Sequence, residues 1–278
     1  MFYISDRYLE ELIQEDLQHM DLTVMAMGIE EAPGVVECSP KNDCVAAGVE
    51  EAARIFEKCG AKAEIKRASG SALRAGEVCL SARGSAGALH ACYKLAQNVM
   101  EYSCGIATRT AKMLEAARAV NPKIHVAVTR KHFPGAKALS LKAALAGGAS
   151  PHRLGLSDSI LAFAQHRVFS DDFFSLIPQM AAAFPEKKIE AEAEDAYEAL
   201  SFLRAGADVV QCERFSPAEL EAFVKEAREK FPRAIIAAAG GINASNAAEY
   251  AAAGADILVT SWVYFGKPED IKMKFNRA

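Results

Sequence analysis

The spacing of apolar residues divides the chain into two parts that meet near Pro122. In the first part, helical periodicity covers residues 1–20, 45–59 and 89–120, the last with an interruption near residues 103–105. Strand-like patterns lie between these segments, at residues 34–38, 63–66 and 78–82. The first part is therefore predicted to mix helices and short strands without a regular repeat.

The second part alternates strands and helices. Its apolar runs lie at residues 124–128, 153–156 with 160–162, 189–193, 208–212, 234–238 and 256–260. Helical segments separate the runs, so the pattern predicts parallel strands joined by right-handed crossovers. Residues 204–208 and 252–256 are near copies, in which a helix ends, a glycine follows and a buried strand begins. This repeat favours a closed barrel of six strands over an open sheet.

Length, charge and cysteine content narrow the class of protein. The chain has 278 residues and a net charge of −4, which argues against a nucleic-acid-binding protein. Its first twelve residues hold no long apolar run, and no stretch reaches the roughly 18 consecutive apolar residues of a membrane span. The seven cysteines form no CxxC pair. We therefore expect a cytoplasmic protein with reduced thiols that binds neither nucleic acid nor membrane.

Small residues follow the last two predicted strands. Gly240 and Gly241 precede a helix, where backbone N–H groups and the helix N-terminus can approach a phosphate closely. Thr260 and Ser261 end the sixth strand. Barrel enzymes often bind phosphate in the loops after their last two strands. Two glycines alone could equally form a tight turn, but the matching polar loop favours a phosphate site.

Charged residues follow the other strands. Four cations lie at neighbouring strand ends: Arg130, Lys131, His152 and Arg153. Together they could bind a polyanion through charge-assisted hydrogen bonds. Each residue taken alone could equally be a solvated surface charge. Glu192 and Glu213 are the matching carboxylates. They could bind Mg²⁺, directly or through water, or accept hydrogen bonds from ribose hydroxyls; a structural ion pair with the arginines is the alternative.

Motifs in a fixed order resemble the quinolinate phosphoribosyltransferase family over nearly the whole chain. They lie at residues 21–23, 103–108, 129–135, 152–158, 189–192, 216–217 and 240–243. Residues 101–110 most resemble the branch of that family that is encoded beside molybdate-transport genes. The resemblance implies a type II phosphoribosyltransferase fold. Its parts would be an N-terminal α/β sandwich domain at residues 1–104, a six-stranded α/β barrel at residues 105–265, and a C-terminal tail at residues 266–278 that returns to the first domain.

The resemblance also implies an activity and roles for individual residues. The phosphoribosyl group of phosphoribosyl pyrophosphate (PRPP) would pass to a heterocyclic acid with the help of Mg²⁺, and carbon dioxide would then be lost, in a homodimer with shared active sites. By position, the catalytic residues would be Lys131, Glu192 and Glu213, and the two glutamates would face the ribose and the metal. The implied substrate-binding residues are Lys94, Thr129, Arg130, Lys131, His152, Arg153 and Phe163. The implied phosphate-binding residues are Ala239, Gly240, Gly241, Thr260 and Ser261.

Four positions depart from the family pattern. Glu213 stands where the family usually has aspartate, and Ser261 stands where it has glycine. Lys94 replaces an arginine that reaches quinolinate from the partner subunit, and it lacks the bidentate fork of that arginine. Phe163 replaces a lysine that faces the acceptor. The last two changes indicate an acceptor that is different or less anionic. Genuine quinolinate phosphoribosyltransferase activity and a non-catalytic oxyanion- or nucleotide-binding role are the alternatives.

Overall fold

The computed structural model describes residues 2–278, which form two compact units. The first unit holds the residues up to Ala111, together with Phe133–Gly148 and Tyr264–Ala278. The second unit holds Lys112–His132 and Ala149–Val263. Residues 133–148, which follow the first strand of the second unit, thus group with the first unit. The domain boundaries expected after residues 104 and 265 stay a prediction.

The helices and strands follow one another along the chain. Up to residue 118 they are α1 (Asp6–Leu17), α2 (Leu22–Met27), β1 (Pro33–Pro40), β2 (Cys44–Val45), α3 (Val49–Lys58), β3 (Lys62–Ile65), β4 (Ala72–Leu73), β5 (Leu80–Ser85), α4 (Ala86–His90) and α5 (Tyr93–Arg118). After residue 118 they are β6 (His125–Val128), α6 (Lys137–Ala146), β7 (Ser150–Pro151), β8 (Ile160–Ala162), α7 (Ala164–Arg167), α8 (Phe173–Ala183), β9 (Ile189–Ala193), α9 (Ala196–Ala205), β10 (Val209–Glu213), α10 (Pro217–Lys230), β11 (Ile235–Ala239), α11 (Ala247–Ala252), β12 (Ile257–Thr260) and β13 (Ile271–Arg277). No helix among residues 2–278 is long and apolar enough to span a bilayer.

An antiparallel sheet with the strand order β13–β1–β5–β3 organises the first unit. Its strand β1 pairs with β5 on one side and with β13 on the other, from Gly34 opposite Arg277 to Pro40 opposite Ile271. The last residues of the chain therefore complete this sheet. Helix α3 packs on β3 and β5 through a face on which Ile55 and Phe56 are fully buried. Each such side chain stabilises the fold by about 1.5–3 kcal/mol.

Helix α5 runs without a break through residues 103–105, so the interruption predicted there is wrong. Gly105 is needed for packing, because a Cβ atom at this position would lie 3.0 Å from the carbonyl oxygen of Lys267. Cys104 is fully buried, and its Sγ accepts a hydrogen bond from the backbone N–H of Ala47 at 3.3 Å. A glycine in a helix is a local signal for a break, but here tertiary contacts decide its role.

A parallel sheet with the order β7–β6–β12–β11–β10–β9–β8 forms the second unit. The two strands at its ends, β7 and β8, follow one another in the chain; β8 lies in the segment predicted as the second strand, whereas β7 precedes that segment. Strand β7 pairs with β6, and β8 pairs with β9. Five of the six predicted strands are present as β6, β9, β10, β11 and β12, and two short strands, β7 and β8, form the ends of the curled seven-stranded sheet. This arrangement confirms the α/β fold class.

The second strand itself differs from the prediction. Residues 153–156 form no strand, and the pairing is limited to Ser150–Pro151 and Ile160–Ala162. Leu154 and Leu156, which suggested a buried strand, are exposed. The backbone N–H of Leu154 instead donates to the carboxylate of Asp158 at 2.9 Å, which folds the segment into a turn. The prediction of a strand here is wrong because these leucines form an apolar pattern in the sequence but are not buried in the structure.

The repeated segments at residues 204–208 and 252–256 have one structural role. Gly206 and Gly254 have φ values of 104° and 93°, so each reverses the chain after a helix in a conformation that favours glycine. The following aspartates accept hydrogen bonds from strand backbones. Asp208 accepts from Ile189 at 2.8 Å, and Asp256 accepts from Ile236 at 2.7 Å. The repeat thus sets the start of neighbouring barrel strands.

A largely buried ion pair joins two helices of the first unit. The Nζ of Lys142 on α6 lies 2.7 Å from a carboxylate oxygen of Glu51 on α3, and 3.2 Å from one of Glu50. The Glu51 side chain is only 2% exposed, and its second oxygen has no hydrogen-bond partner within the described chain. Lys142 is therefore the cation that this buried carboxylate contacts.

We predict that Lys142→Ala lowers the free energy of unfolding by about 2–4 kcal/mol, because it leaves the Glu51 carboxylate buried without its cation. Urea denaturation measures this change. Arg7→Ala is the matched control, since Arg7 pairs with Glu11 at an exposed surface of the same unit. Equal effects of the two substitutions would contradict the assigned role of Lys142.

Candidate active site

A cavity of about 520 Å³ lies at the carboxyl ends of the strands of the second unit. Parallel strands bring their carboxyl ends to one edge, so residues far apart in sequence meet there. The predicted residues that line it are Thr129, Arg130, Lys131, His152, Arg153, Phe163, Glu192, Glu213, Ala239, Gly240, Gly241, Thr260 and Ser261. Lining residues that the sequence did not single out are Leu161, Gln165, Gln211, Ile242, Val259 and Trp262.

Lys94 is the one member of the predicted set that does not line this cavity. It lies on α5 in the first unit, where its Nζ donates to Oε1 of Gln97 at 2.7 Å. The ammonium group also lies 5.4 Å from the centre of the Tyr93 ring, within the range of a cation–π contact. The single chain therefore does not bring Lys94 together with the other predicted residues.

The loop after β11 depends on close backbone packing. Gly240 and Gly241 have φ values of 92° and 79°, in the region that favours glycine. A Cβ atom on Gly240 would lie only 2.7 Å from the backbone nitrogen of Arg214. Arg214 itself has a φ of 60°, and its N–H donates to the carbonyl of Ala239 at 2.9 Å. This packing holds two consecutive peptide groups at the cavity wall, as a phosphate-binding loop requires.

Thr260 lines the cavity, but its hydroxyl group is engaged within the protein. Its Oγ1 donates to the carbonyl of Ile242 at 2.7 Å and accepts from the N–H of Trp262 at 3.0 Å. These bonds tie the loop after β11 to the loop after β12. The geometry assigns Thr260 a supporting role, and its direct contact with a phosphate stays a prediction, as does that of the neighbouring Ser261.

Arg153 presents a buried positive charge to the cavity. The residue is 7% exposed, and within residues 2–278 no hydrogen bond or ion pair engages its guanidinium group. Burial lowers the pKa of Arg153, and the nearby charge of Arg130 lowers it further, whereas the charges of Glu190 and Asp158 oppose both effects. A desolvated cation without a partner is costly unless a ligand supplies an anion. The cavity is therefore suited to an anionic ligand.

Phe163 forms an aromatic wall beside this cation. The guanidinium carbon of Arg153 lies 5.3 Å from the centre of the Phe163 ring, and His166 stacks on the same ring at 5.4 Å. The Nδ1 of His166 also accepts a hydrogen bond from the backbone N–H of Phe163 at 3.0 Å. The ring is thus held in place, and it gives the region around Arg153 an apolar surface.

His152 is paired with a carboxylate that the sequence placed deeper in the strand. Its Nε2 lies 3.0 Å from Oε1 of Glu190, and both side chains are about nine-tenths buried. Glu190 therefore sets the orientation of the imidazole, and the alternation of Glu190 with Glu192 along β9 was the available sequence signal.

Glu192 and Glu213 lie on the neighbouring strands β9 and β10, and both line the cavity. Burial raises the pKa of the Glu192 carboxyl and the negative charge of Glu213 raises it further, whereas a hydrogen bond from Gln211 opposes both effects. Among residues 2–278, no group of three or more His, Cys, Asp or Glu side chains could hold a metal by itself. A Mg²⁺ ion held by these two carboxylates would need its remaining ligands from water or from substrate phosphates.

The whole chain is similar to one family of enzymes. Residues 21–104 match the N-terminal domain of quinolinate phosphoribosyl transferase, and residues 106–274 match its C-terminal domain. A protein of Rhodobacter capsulatus named "Putative pyrophosphorylase ModD" is 44% identical over 89% of this chain and 96% of its own. An Archaeoglobus fulgidus protein named "Probable nicotinate-nucleotide pyrophosphorylase [carboxylating]" is 31% identical over 82% and 88%. The crystal structure of NadC from Streptococcus pyogenes has the same fold, with a TM-score of 0.90, 24% identity and coverage of 98% and 96%.

The two glycines of the loop after β11 allow a matched test of its packing. We predict that Gly240→Ala destabilises the protein more than Gly241→Ala does. Both substitutions force alanine into a left-handed conformation, at a cost of about 1–2 kcal/mol. Only the Cβ atom at residue 240 would also collide with Arg214, since nothing lies within 4 Å of a Cβ atom at residue 241. Thermal unfolding of both variants measures the difference; equal midpoints would show that the loop can move away.

Proposed function

Since the chain belongs to the quinolinate phosphoribosyltransferase family and is thus a pentosyltransferase, we propose that it transfers the phosphoribosyl group of PRPP to an acceptor other than quinolinate. The observation that carries this proposal is the composition of one cavity. It joins a glycine loop suited to phosphate, three cations that form no ion pair among residues 2–278 (Arg130, Lys131 and Arg153), and two carboxylates. These are the groups that a sugar with phosphate at one end and pyrophosphate at the other requires.

In the proposed reaction, the bond from ribose C1 to a pyrophosphate oxygen breaks, and a bond from C1 to a ring nitrogen of the acceptor forms. The loop at Gly240 and Gly241, with Ala239 and Ser261, would hold the 5′-phosphate. Arg130 and Lys131 are exposed to the cavity and would stabilise the charge on the departing pyrophosphate. The positive charge that develops on the ribosyl group would be stabilised by Glu192 and Glu213. No covalent nucleophile is needed.

Mg²⁺ is part of the proposal. Glu192 and Glu213 are the residues that would hold it, directly or through water. When bound, it supplies positive charge that neutralises the pyrophosphate group. Among residues 2–278, no lysine or arginine forms an ion pair with both carboxylates, which supports this role. Arg214 lies 3.5 Å from Glu213, but its side chain is exposed.

The acceptor half of the cavity supports a substrate that carries fewer negative charges than quinolinate. Arg153 remains available for one carboxylate, with Thr129 and His152 nearby at neighbouring strand ends. The wall next to Arg153 is the ring of Phe163, which cannot pair with a second carboxylate. We therefore propose a planar acid with an uncharged edge towards Phe163. Whether carbon dioxide is lost afterwards depends on where the acceptor carries its carboxylate.

We propose a homodimer in which Lys94 of one subunit contacts the acceptor in the other. We propose a cytoplasmic location, which is supported by the seven free thiols, six of them buried. The association with molybdenum transport or use is supported by the similarity of residues 101–110 to that branch of the family and by the ModD relatives.

Calorimetric titration with PRPP and Mg²⁺ tests the donor site. We expect the wild-type protein to bind PRPP and Lys131→Met to bind it about tenfold or more weakly, because a charge-assisted hydrogen bond contributes about 1.5–3 kcal/mol. Lys225→Met on the exposed face of α10 is the matched control and should bind like wild type. Failure of the wild-type protein to bind PRPP, together with binding of molybdate, would favour the oxyanion-binding alternative.

Quinolinate added to the PRPP complex tests the acceptor site. We expect little binding or turnover by the wild-type protein, and at least a tenfold gain for Phe163→Lys, which places a cation beside Arg153. Phe169→Lys is the matched control, because Phe169 is 90% exposed and does not line the cavity. Wild-type turnover of quinolinate at ordinary enzyme rates, about 1–10³ s⁻¹, would instead support genuine quinolinate phosphoribosyltransferase activity.

A further inference from the structure

Gln211 is a buried polar residue in the wall of the cavity. It lies in the middle of β10, is only 4% exposed, and lines the cavity between apolar and charged neighbours. A glutamine is an unusual choice for the interior of a barrel strand, because burying an amide is unfavourable unless it forms hydrogen bonds. Its single side-chain hydrogen bond among residues 2–278 is to Glu192.

The backbone places Gln211 next to both carboxylates. Parallel pairing of β9 and β10 sets Gln211 directly opposite Glu192. Alternation along β10 puts Gln211 and Glu213 on the same face of the strand, two residues apart. Gln211 is therefore the neighbour that Glu192 and Glu213 have in common.

The hydrogen bond between Gln211 and Glu192 is short and directional. The Nε2 of Gln211 lies 2.6 Å from Oε2 of Glu192. An ionised carboxylate can only accept, so the amide nitrogen must be the group that faces Glu192, which fixes the orientation of the whole side chain. One oxygen of Glu192 is thereby held in the barrel wall, and the other remains available to a ligand.

Without this hydrogen bond, the neighbouring charges would favour a position of the Glu192 carboxylate farther from Glu213. Glu213 and Glu194 repel it, and Arg167 attracts it from the side of α7. Arg167 forms an ion pair with Glu198, so it already has an anionic partner. A neutral donor at residue 211 can restrain Glu192 without adding a third negative charge or a competing cation.

We infer that Gln211 is a positioning residue that holds the Glu192 carboxylate beside Glu213 in the geometry that binds the ligand. The inference rests on the proposed function for the identity of that ligand, the Mg²⁺ complex of PRPP. Gln211 acts through Glu192 and need not touch the reacting atoms. The role is specific to an uncharged hydrogen-bond donor of this length.

The experiment compares Gln211→Met with the wild-type protein. Methionine has a similar length but cannot donate a hydrogen bond. We expect the Mg²⁺ concentration that half-saturates PRPP binding to rise about tenfold, as for the loss of a hydrogen bond to a charged group. Gln211→Leu provides a second apolar variant should methionine impair folding. Gln179→Met, at an exposed position on α8, is the control and should leave the Mg²⁺ requirement unchanged.

A double-mutant cycle with Glu192→Gln separates positioning from a general effect on the shape of the cavity. If Gln211 acts through Glu192, Gln211→Met should have almost no further effect in the Glu192→Gln background. Additive effects of the two substitutions would overturn the inference, because they would show that Gln211 acts independently of Glu192.

A crystal structure of Gln211→Met gives a readout that does not depend on PRPP. We expect the Glu192 carboxylate to turn from the position beside Glu213 towards Arg167. An unchanged Glu192 side chain would overturn the inference. If the wild-type protein binds no PRPP, the proposed function fails by itself, and the position of Glu192 in this variant still decides whether Gln211 positions it.

Discussion

Hydrogen bonding between parallel strands determines where each functional side chain of the second unit lies. Because the strands run in one direction, their carboxyl ends meet at one edge, and residues from Thr129 to Trp262 surround a single cavity. The register then places individual groups. It sets Gln211 opposite Glu192, and the alternation of side chains turns Glu213 to the same face. A shift of one residue would turn these side chains out of the barrel.

The charged groups of the protein differ in how fully the protein itself satisfies them. Away from the cavity, several partly buried charges have close partners, as in the pairs of Lys142 with Glu51 and of Arg228 with Asp256. Inside the cavity, no carboxylate among residues 2–278 forms an ion pair with Arg153, and Glu192 is held by a neutral amide. Burial disfavours the charged form of both, since it lowers the pKa of Arg153 and raises that of Glu192. Such unsatisfied charge is typical of a ligand site.

The phosphate loop shows how backbone packing supports this electrostatic arrangement. Gly240 is required because Arg214 lies too close for any side chain, and Arg214 adopts a left-handed conformation that costs free energy for a residue with a Cβ atom. Hydrogen bonds from Arg214 to Ala239 and from Thr260 to Ile242 hold the adjacent loops. Local strain of this kind is found where function depends on backbone position.

The sequence alone determined the alternation of strands and helices, the ends of the strands and therefore most of the residues around the cavity. These features depend on local periodicity and on the rule that parallel strands share one carboxyl edge. Only the tertiary structure decided that helix α5 continues through Gly105, that Leu154 and Leu156 lie outside a strand, and that Glu190 and Gln211 engage His152 and Glu192. Each of these outcomes depends on the distance between residues remote in sequence, or on the burial that distant segments provide. Local periodicity contains no information about either.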